Sequence, residues 1–341
     1  MTEKPPIRIA TISDNPDPDW AWLSNVEGAY FKVAGRSLTW RSFSMAHSDG
    51  QRSGFSRLMG ARRLAGAGAE QAFDLIVSHG PWTTAWTEWI GRHRETKHLA
   101  FSFNFTDLPA GPRKALMSAA FRKVDAFAVF TEAEQALYAD YFGIDQSRLL
   151  RAPWGVAPPI NTPVKHAIDG EYYAALGGEA RDYHVLCDAA RLCPDLKFCA
   201  IARPHNFYGL DVPQNLRVLF NLPIEEAWSI IWDAKAALLP LRNRETPCGL
   251  VTLVGAMHLG KAQIAASAVG ASEYLRHEET GLLVPPGDAE AIAAAIRRLE
   301  ADPSLAARLG DAARAEAAAH CSEAATVAFF RELMESWFGE K

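Results

Sequence analysis

A short stretch in the second half of the chain combines residue types that suit an anion at a helix N-terminus. In RNRETPCGLVTLVGAMHLGK (242–261), charged residues and a proline lead to Gly249, and an apolar helix is predicted from near Cys248 to before Gly260. First-turn N–H groups lack an intrahelical acceptor, and the positive end of the helix dipole favours phosphate. Gly249 permits a ligand to approach the backbone closely. The alternative is an ordinary helix that follows a loop.

A second candidate site lies in GGEARDYHVLCDAA (177–190), which follows a predicted strand and opens a predicted helix. Gly178 belongs to a glycine pair, and Arg181 follows three residues later. A guanidinium and a helix N-terminus stabilise the negative charge of an anion such as phosphate without a metal. The alternative is that Arg181 is an exposed first-turn residue that pairs with Asp182 or Glu179.

Candidate ligand contacts in the first half follow predicted strands. His79 ends DLIVSHG (74–80), at the carboxyl end of a strand, where ligands bind in parallel sheets. It is a candidate general base or ligand contact, although a lone histidine is more often structural. Asn104 and Thr106 follow the next strand and either bind a ligand hydroxyl or hold the loop. Trp82 is a candidate stacking surface, whereas the spacing of Trp86 and Trp89 favours a buried helical face.

No metal site or cofactor is predicted. DPD (17–19) looks like an Asp-x-Asp metal motif, but Asp19 directly before Trp20 favours a helix cap or turn. The five cysteines form no C-x-x-C pair and no Cys/His cluster with zinc spacing. Buried free thiols in a reducing compartment are the favoured interpretation.

The elements that must position these residues alternate between strand and helix. A proline-rich segment, 154–166, interrupts the alternation and is predicted to be a linker. The fold class is therefore α/β, with two doubly wound, Rossmann-like domains facing a cleft. Strands are predicted at 7–12, 74–80, 98–103, 126–130, 171–176, 197–202, 216–220, 235–240, 262–267 and 280–285. Other helices are predicted at 83–95, 112–122, 132–142, 181–193, 224–233, 288–300, 303–320 and 322–338.

The second half resembles the C-terminal domain of retaining family 4 glycosyltransferases of the GT-B fold. The stretches that carry this resemblance are CGLVTLVGAMHLGKAQIAAS, VGASEYLRHEETGLLVPPGDAEAIAAAIRRLEADP and LAARLGDAARAEAAAHCS. YFGIDQSRLLRAPWGV is similar to the segment that closes the family's N-terminal domain. The resemblance is strong over about 170–341 and diffuse over 1–160.

The resemblance implies an acceptor-side domain at 1–153, the linker at 154–166 and a nucleotide-sugar domain at 167–321. It also implies that helix 322–341 returns to the first domain. Catalytic roles fall to Arg181, Glu245 and His79, with His79, Trp82, Asn104 and Thr106 on the acceptor side. The implied donor site comprises Gly178, Arg181, Thr246, Cys248, Gly249, Leu250, Val251, Thr252 and Glu273.

The sequence departs from the family at its paired glutamates, which are eight positions apart. The second, ribose-binding glutamate falls on Gly255 or Val254, and the first falls on Pro247 or Thr246. Glu245 is expected to take the sugar-contacting role from a shifted register. We expect Gly255 to face the nucleotide or a neighbouring loop at close range, with Thr252 or Glu273 on the ribose. The alternative is that Gly255 permits tight helix packing.

Composition indicates a globular chain and excludes several classes. Of 341 residues, 49% are hydrophobic and 22% are charged, and the net charge of −5 argues against a nucleic-acid partner. The N-terminus lacks the apolar core of a signal peptide, which favours a cytoplasmic protein. Two basic, partly apolar stretches, 51–64 and 111–123, allow weak peripheral contact with the inner membrane face. Packed helices with solvated basic faces are the favoured alternative.

The resemblance implies a glycosyltransferase, and the lack of a metal motif adds the prediction that it is metal-independent. It would move a sugar from a UDP- or GDP-linked donor to a saccharide or lipid-linked acceptor, with retention, in bacterial surface polysaccharide or glycoconjugate assembly. The alternatives are a non-catalytic GT-B sugar-binding or partner protein and a GT-B nucleotide-sugar epimerase.

Overall fold

The chain forms two compact domains in the computed structural model, which describes residues 4–15, 22–45, 53–93, 95–242 and 245–340. The first domain comprises residues 1–153 together with 323–341, and the second comprises 154–322. The predicted cap at 17–19 lies outside the described residues. Residues 154–166, predicted to be a linker, fall in the second domain.

The first domain is built on a six-stranded sheet in the order β2-β1-β3-β4-β5-β6. All of its strand pairs are parallel. The strands are β1 (Ile7–Ser13), β2 (Leu38–Ser44), β3 (Leu75–His79), β4 (Lys97–Phe101), β5 (Ala126–Val129) and β6 (Leu149–Arg151). The helices are α1 (Gly54–Glu70), α2 (Pro81–Trp86), α3 (Gly111–Phe121) and α4 (Glu132–Phe142).

The strand order places helices α1 to α4 in one layer. Helix α1 connects β2 to β3, and α2, α3 and α4 connect each following strand to the next, up to β6. All four connections therefore step across the sheet in the same direction, away from β2. Crossovers between parallel strands are right-handed, so crossovers in one direction lie on one face of the sheet. Contacts between neighbouring helices agree with this arrangement, since α2 contacts both α1 and α3.

The second domain repeats this architecture in the order β12-β11-β10-β7-β8-β9, again with parallel pairs. Its core packs apolar faces of helices on strands that are buried on both sides. The strands are β7 (Tyr173–Leu176), β8 (Phe198–Ala202), β9 (Leu216–Phe220), β10 (Ala237–Leu239), β11 (Gln263–Ala266) and β12 (Leu282–Val284). The helices are α5 (Tyr183–Leu192), α6 (Ile224–Asp233), α7 (Leu250–His258), α8 (Ala289–Ala301) and α9 (Pro303–His320).

The final helix, α10 (Glu323–Phe338), packs in the first domain. Its Phe330 is fully buried, and its ring centroid lies 5.2 Å from that of Trp22 and 5.5 Å from that of Trp40. Leu333 and Met334 are also buried on this face. The apolar stripe of the last helix is thus part of the first-domain core.

Three features of the first domain differ from the sequence predictions. Strands β2 and β6 were not predicted; β2 is an edge strand with a partly exposed, polar pattern that gives a weak hydrophobic signal. The predicted helix 83–95 is α2 followed by a π-helical turn, Thr87–Gly91. Residues 54–64 of the basic 51–64 stretch belong to a longer helix, α1, whose N-cap Ser53 accepts a hydrogen bond from the N–H of Ser56.

Candidate functional site

In each domain the strand order reverses beside the first strand of the sheet. The second domain runs from β7 outward to β9 and then returns to β10 on the other side of β7. The first domain runs from β1 to β2 and then returns to β3 on the other side of β1. Ligands of doubly wound sheets bind beyond the carboxyl ends of the strands at this switch point. The residues after β7 and β10, and those after β1 and β3, are therefore the candidate sites of the two domains.

Arg181 lies at the switch point of the second domain and is buried, with 5% of its surface exposed. Its guanidinium donates to the carbonyl oxygen of Leu176 (3.1 Å), to the carbonyl oxygen of Glu179 (3.0 Å) and to Thr252 Oγ1 (2.9 Å). Arg181 therefore connects the turn after β7 to the first turn of α7. The alternative, that Arg181 is an exposed first-turn residue in an ion pair, is wrong.

Two glycines make room for this guanidinium. A Cβ atom at Gly177 would lie 2.6 Å from Nη2 of Arg181, and one at Gly249 would lie 3.1 Å from Nη1. Gly249 also has a φ of +88°, in the left-handed region that favours glycine. The need for glycine at 249 thus comes from the packed arginine and from the backbone turn.

The charge of Arg181 is only partly balanced by acid, because the nearby carboxylate of Glu179 acts on it but is itself paired with Arg203. Within the described ranges no carboxylate forms an ion pair with Arg181, and two of its five N–H groups meet no acceptor. Burial lowers the pKa of Arg181 through desolvation, but a guanidinium stays protonated in proteins. Buried charges are ordinarily paired, so the site carries an incompletely compensated positive charge that an anion would neutralise.

The predicted donor residues lie around this charge, although most of their side chains are buried. Thr252 Oγ1 accepts from Arg181 and donates to the carbonyl oxygen of Leu176 (3.4 Å), so its hydroxyl is already used. Leu250 and Thr246 are buried, Cys248 is half-buried, and Val251 is 59% exposed. Any ligand contact at the front of α7 would therefore be made mainly by the backbone.

Two predicted carboxylates lie on neighbouring segments. Glu245 is exposed in the loop between β10 and α7, and Glu273 is half-buried in a 3-10 turn after β11. Because β11 pairs with β10, both follow the central strands of the sheet. Among the residues that the structure describes, neither glutamate forms an ion pair with Arg181.

Arg203 is a candidate that sequence reasoning missed. It follows β8, its side chain is 58% exposed, and Nη1 lies 2.9 Å from Oε1 of Glu179. A Cβ atom at Gly178 would lie 3.1 Å from Cδ of Arg203, so this arginine covers the glycine pair. Its position directly after a parallel strand was the available signal.

Gly255 does not face a nucleotide. A Cβ atom at this position would overlap the ring of Trp228, which lies on α6. Val254, the other position aligned with the second glutamate, is fully buried. The alternative of tight helix packing is therefore correct, and the expected ribose contact through this face is wrong.

The switch point of the first domain holds a cavity of about 510 Å³. It brings together all four predicted acceptor-side residues, His79, Trp82, Asn104 and Thr106. Thr83 adds a buried hydroxyl that has no hydrogen-bond partner among the described residues. Sequence reasoning missed the other polar lining residues, which are Asp14, Arg57, Thr83 and Asp107.

His79 is a neutral contact in this cavity. It is 8% exposed, and its ring centroid lies 5.1 Å from that of Trp22 and 5.7 Å from that of Phe101. Burial lowers its pKa to about 3. An imidazole with this pKa is a weak base at neutral pH, so the geometry favours a ligand contact over general base catalysis.

Trp82 is flanked by two cations. The guanidinium carbons of Arg57 and Arg113 lie 5.5 Å and 5.4 Å from the centroid of its ring. Arg57 also forms an ion pair with Asp14 at 3.4 Å. The predicted stacking surface is therefore shared with these arginines. Trp86 and Trp89 pack edge to face at 5.3 Å and border the core, as their spacing predicted.

A buried hydrogen-bond chain holds the strand end that carries His79. Ser78 Oγ lies 2.8 Å from Nε2 of His98, and Nδ1 of His98 lies 2.5 Å from Oε1 of Glu88. Burial acts to raise the pKa of Glu88, but His98 and Arg92 outweigh it and the pKa is lowered. Because Ser78, His98 and Glu88 are almost wholly buried, this chain supports β3 rather than meeting a ligand.

Comparisons with known proteins agree with this architecture. Residues 206–316 match the family described as glycosyl transferases group 1. Sucrose-phosphate synthase from Thermosynechococcus elongatus superposes with a TM-score of 0.72 at 19% identity, over 97% of this chain and 99% of that one. Anabaena HepE in complex with UDP superposes with a TM-score of 0.69 at 14% identity, over 96% and 100% of the two chains. The chain therefore has the GT-B fold, and the predicted fold class and GT-B glycosyltransferase resemblance are confirmed.

A sequence relative is the exopolysaccharide phosphotransferase of Streptomyces coelicolor. It is 38% identical over 81 residues, which are 24% of this chain and 9% of the relative. The chain thus spans about a tenth of the length of this curated relative, and the match concerns one segment only.

Two properties of the described residues bear on the predictions of membrane contact and metal binding. No helix in the described ranges is long and apolar enough to cross a membrane. Among the same residues, no group of three or more His, Cys, Asp or Glu side chains could hold a metal ion.

Proposed function

We propose that this chain is a glycosyltransferase that moves a sugar from a UDP- or GDP-linked donor to an acceptor hydroxyl. The observation that carries the proposal is the incompletely neutralised guanidinium of Arg181, buried beside the N-terminus of α7 at the switch point of the second domain. The GT-B fold, the glycosyl transferases group 1 match and the UDP held by HepE support it.

The proposed chemistry assigns one task to each domain. As the glycosidic bond to the donor breaks, negative charge grows on the leaving diphosphate. The positive charge of Arg181 and the first N–H groups of α7 would stabilise it, because both are fixed before the reaction. In the first domain, His79, Thr83 and Asn104 would hold acceptor hydroxyls by hydrogen bonds. The acceptor would be a saccharide or a lipid-linked saccharide.

Three finer parts of the proposal rest on the family resemblance. They are retention of anomeric configuration, independence of a metal, and a role in surface polysaccharide or glycoconjugate assembly. The name of the Streptomyces relative supports the last of these. We expect transfer to survive EDTA, and loss of activity that magnesium or manganese restores would contradict metal independence.

A nucleotide panel followed by a transfer assay tests the proposal. Thermal unfolding would be recorded with UDP, GDP and their hexose conjugates, since a ligand that binds the folded state raises the melting temperature by mass action. Donors that stabilise the protein would then be supplied with saccharide acceptors, and NMR would show the anomeric configuration of the product. If no nucleotide stabilises the protein and no donor is consumed, the proposal is wrong.

A non-catalytic sugar-binding or partner protein is the second candidate. The observation that favours it is the loss of the paired glutamates, since Val254 and Gly255 are both packed in the core. This candidate predicts nucleotide or sugar binding without consumption of any donor. Detection of an epimerised nucleotide-sugar would instead indicate the third alternative, an epimerase.

A further inference from the structure

Helix α1 exposes large apolar side chains on a basic face. Phe55 is 67% exposed and Met59 is 39% exposed. They lie four residues apart, so they share one face of the helix, and this face continues to the exposed Arg62 and Arg63. The only acidic residue of α1 is Glu70, at its last position. The outer face of α1 is therefore apolar near its start and basic beyond it.

Helix α3 repeats this combination. Leu116 is 56% exposed, Arg113 is exposed one turn earlier, and Arg122 and Lys123 are exposed at the C-terminal end. The helix contains no acidic residue. None of Arg62, Arg63, Arg113, Arg122 and Lys123 forms an ion pair with a residue that the structure describes.

The two faces belong to one surface of the first domain. Helices α1, α2 and α3 lie in a single layer on one side of the sheet, and α2 contacts both of its neighbours. Arg57 of α1 and Arg113 of α3 meet over the same ring, that of Trp82 at the start of α2. Phe55 is two residues before Arg57, and Leu116 is three residues after Arg113. The surface thus borders the first-domain cavity, which Arg57 and Trp82 line.

We propose that this surface docks the first domain on an anionic lipid bilayer. The docking surface comprises Phe55, Met59, Leu116, Arg62, Arg63, Arg113, Arg122 and Lys123. Exposed apolar side chains among basic ones are the combination that binds membrane interfaces, with the apolar groups in the headgroup–acyl boundary and the cations on anionic headgroups. The unpaired positive charges favour phosphate headgroups over an uncharged protein face.

Docking would bring the first-domain cavity to the membrane surface. If the proposed transfer reaction is correct, the acceptor that reaches this cavity is then carried by a lipid rather than free in solution. This statement about the acceptor rests on the proposed function, whereas the docking itself does not.

Vesicle flotation of the full chain tests the docking directly. We expect binding to phosphatidylcholine vesicles that contain about a quarter phosphatidylglycerol, and much weaker binding to phosphatidylcholine alone. Raising the salt concentration from about 0.1 M to about 1 M should release the protein, because the Debye length falls from about 10 Å to about 3 Å.

Three variants locate the surface. Phe55→Ser combined with Leu116→Ser should lower the partition coefficient on the order of tenfold or more, since each side chain loses its apolar burial. Arg62→Glu combined with Arg63→Glu should abolish the preference for anionic vesicles. The matched control, Tyr208→Ser with Ile224→Ser, alters side chains of the second domain that are 77% and 62% exposed, and should bind like wild type.

Several outcomes would overturn the proposal. They are absence of wild-type flotation, equal binding to neutral vesicles, and unchanged binding of the Phe55 and Leu116 variant. If sedimentation velocity shows a wild-type dimer that becomes monomeric in this variant, the surface would instead be an interface with a second copy of the chain.

Donor consumption with a soluble saccharide, measured on the same variants, should stay at the wild-type level. A protein that floats but consumes no donor would contradict the proposed function and leave the docking intact.

Discussion

At the residue scale, Arg181 and its neighbours form a unit that couples two turns of the second domain. The guanidinium holds the carbonyl groups of Leu176 and Glu179 on one side and the hydroxyl of Thr252 on the other. The cost of burying a guanidinium is offset in part by these hydrogen bonds, and a bound anion would offset more of it. Ligand binding and the rigidity of the site would therefore be coupled through one side chain.

Gly255 provides a prediction about packing. Gly255→Ala should lower the free energy of unfolding by about 1–3 kcal/mol, because the added methyl group overlaps the Trp228 ring in a filled core. Gly255→Glu, which restores the family's residue, should not fold. Urea denaturation measures both effects.

The matched control is Gly66, which lies in α1 with no atom within 4 Å of an added Cβ. Gly66→Ala should be neutral or stabilise the protein by about 0.5–1 kcal/mol through helix propensity. If Gly255→Ala is as stable as wild type, the packing account of α7 is wrong.

At the element scale, the capping box of α4 contains a buried acid. Oε2 of Glu134 accepts from the backbone N–H groups of Phe130 (2.8 Å) and Thr131 (3.1 Å), and the carboxyl is almost fully buried. Burial raises the pKa of Glu134 to about 7, although these hydrogen bonds act to lower it. The folded chain therefore holds a proton between about pH 4.5 and about pH 7 that the unfolded chain releases.

This shift predicts the sign of a pH dependence. The contribution of Glu134 to the free energy of unfolding is greatest below about pH 4.5. It falls as the pH rises to about 7, by at most about 1.4 kcal/mol per pH unit. Glu134→Gln should remove this contribution, so the difference between variant and wild type in urea denaturation should change across the window. A constant difference from pH 4.5 to pH 7 would contradict the raised pKa.

Helix α10 provides the second prediction at this scale. A chain that ends at Ser322 loses Phe330 and uncovers Trp22, Trp40 and Phe31, which contact its ring. We expect aggregation or loss of activity, since a single Phe→Ala substitution in a core already costs about 3–5 kcal/mol. A chain that ends at Phe338 is the control and should behave as wild type. A soluble and fully active chain ending at Ser322 would show that the helix is dispensable.

Local patterns predicted most elements but not all side-chain environments. Strands such as β8 and β11 are short apolar runs between polar turns, and α6 has a strongly amphipathic pattern, so their positions follow from periodicity. The packing of Gly255 and the burial of Arg181 could not be predicted because their surroundings come from distant segments. Trp228 is 27 positions before Gly255, and Thr252 is 71 positions after Arg181.

At the scale of the whole molecule, both domains share one arrangement, and their proposed tasks differ. Each places polar residues beyond the carboxyl ends of its strands at the switch point of its sheet. In the first domain this gives a cavity with neutral and paired side chains, and in the second it gives a buried cation beside a helix N-terminus. The difference in charge is the physical basis for assigning acceptor and donor to the two domains.

The sequence could predict the candidate site of the first domain because ligands bind beyond the carboxyl ends of parallel strands, and these ends are visible in the sequence. His79, Asn104 and Thr106 were found from that rule, Trp82 was found as an aromatic stacking surface beside His79, and all four line one cavity. Arg57 was missed because it enters the cavity from α1, where neither position nor periodicity indicates a ligand. Thr83 was missed because a helical threonine carries no signal comparable to the aromatic ring of Trp82 beside it.

The affinity of the protein for UDP and GDP, measured by isothermal titration calorimetry, tests the central claim most directly. The wild type would be compared with Arg181→Gln, which removes the buried charge, and with Arg191→Gln, which removes an exposed charge from α5 of the same domain. We expect Arg181→Gln to raise Kd about tenfold to a hundredfold, since a charge-assisted hydrogen bond contributes about 1.5–3 kcal/mol. Arg191→Gln should leave Kd unchanged. Equal affinities in a folded Arg181→Gln variant and in wild type would contradict the claim that this buried charge holds the donor diphosphate.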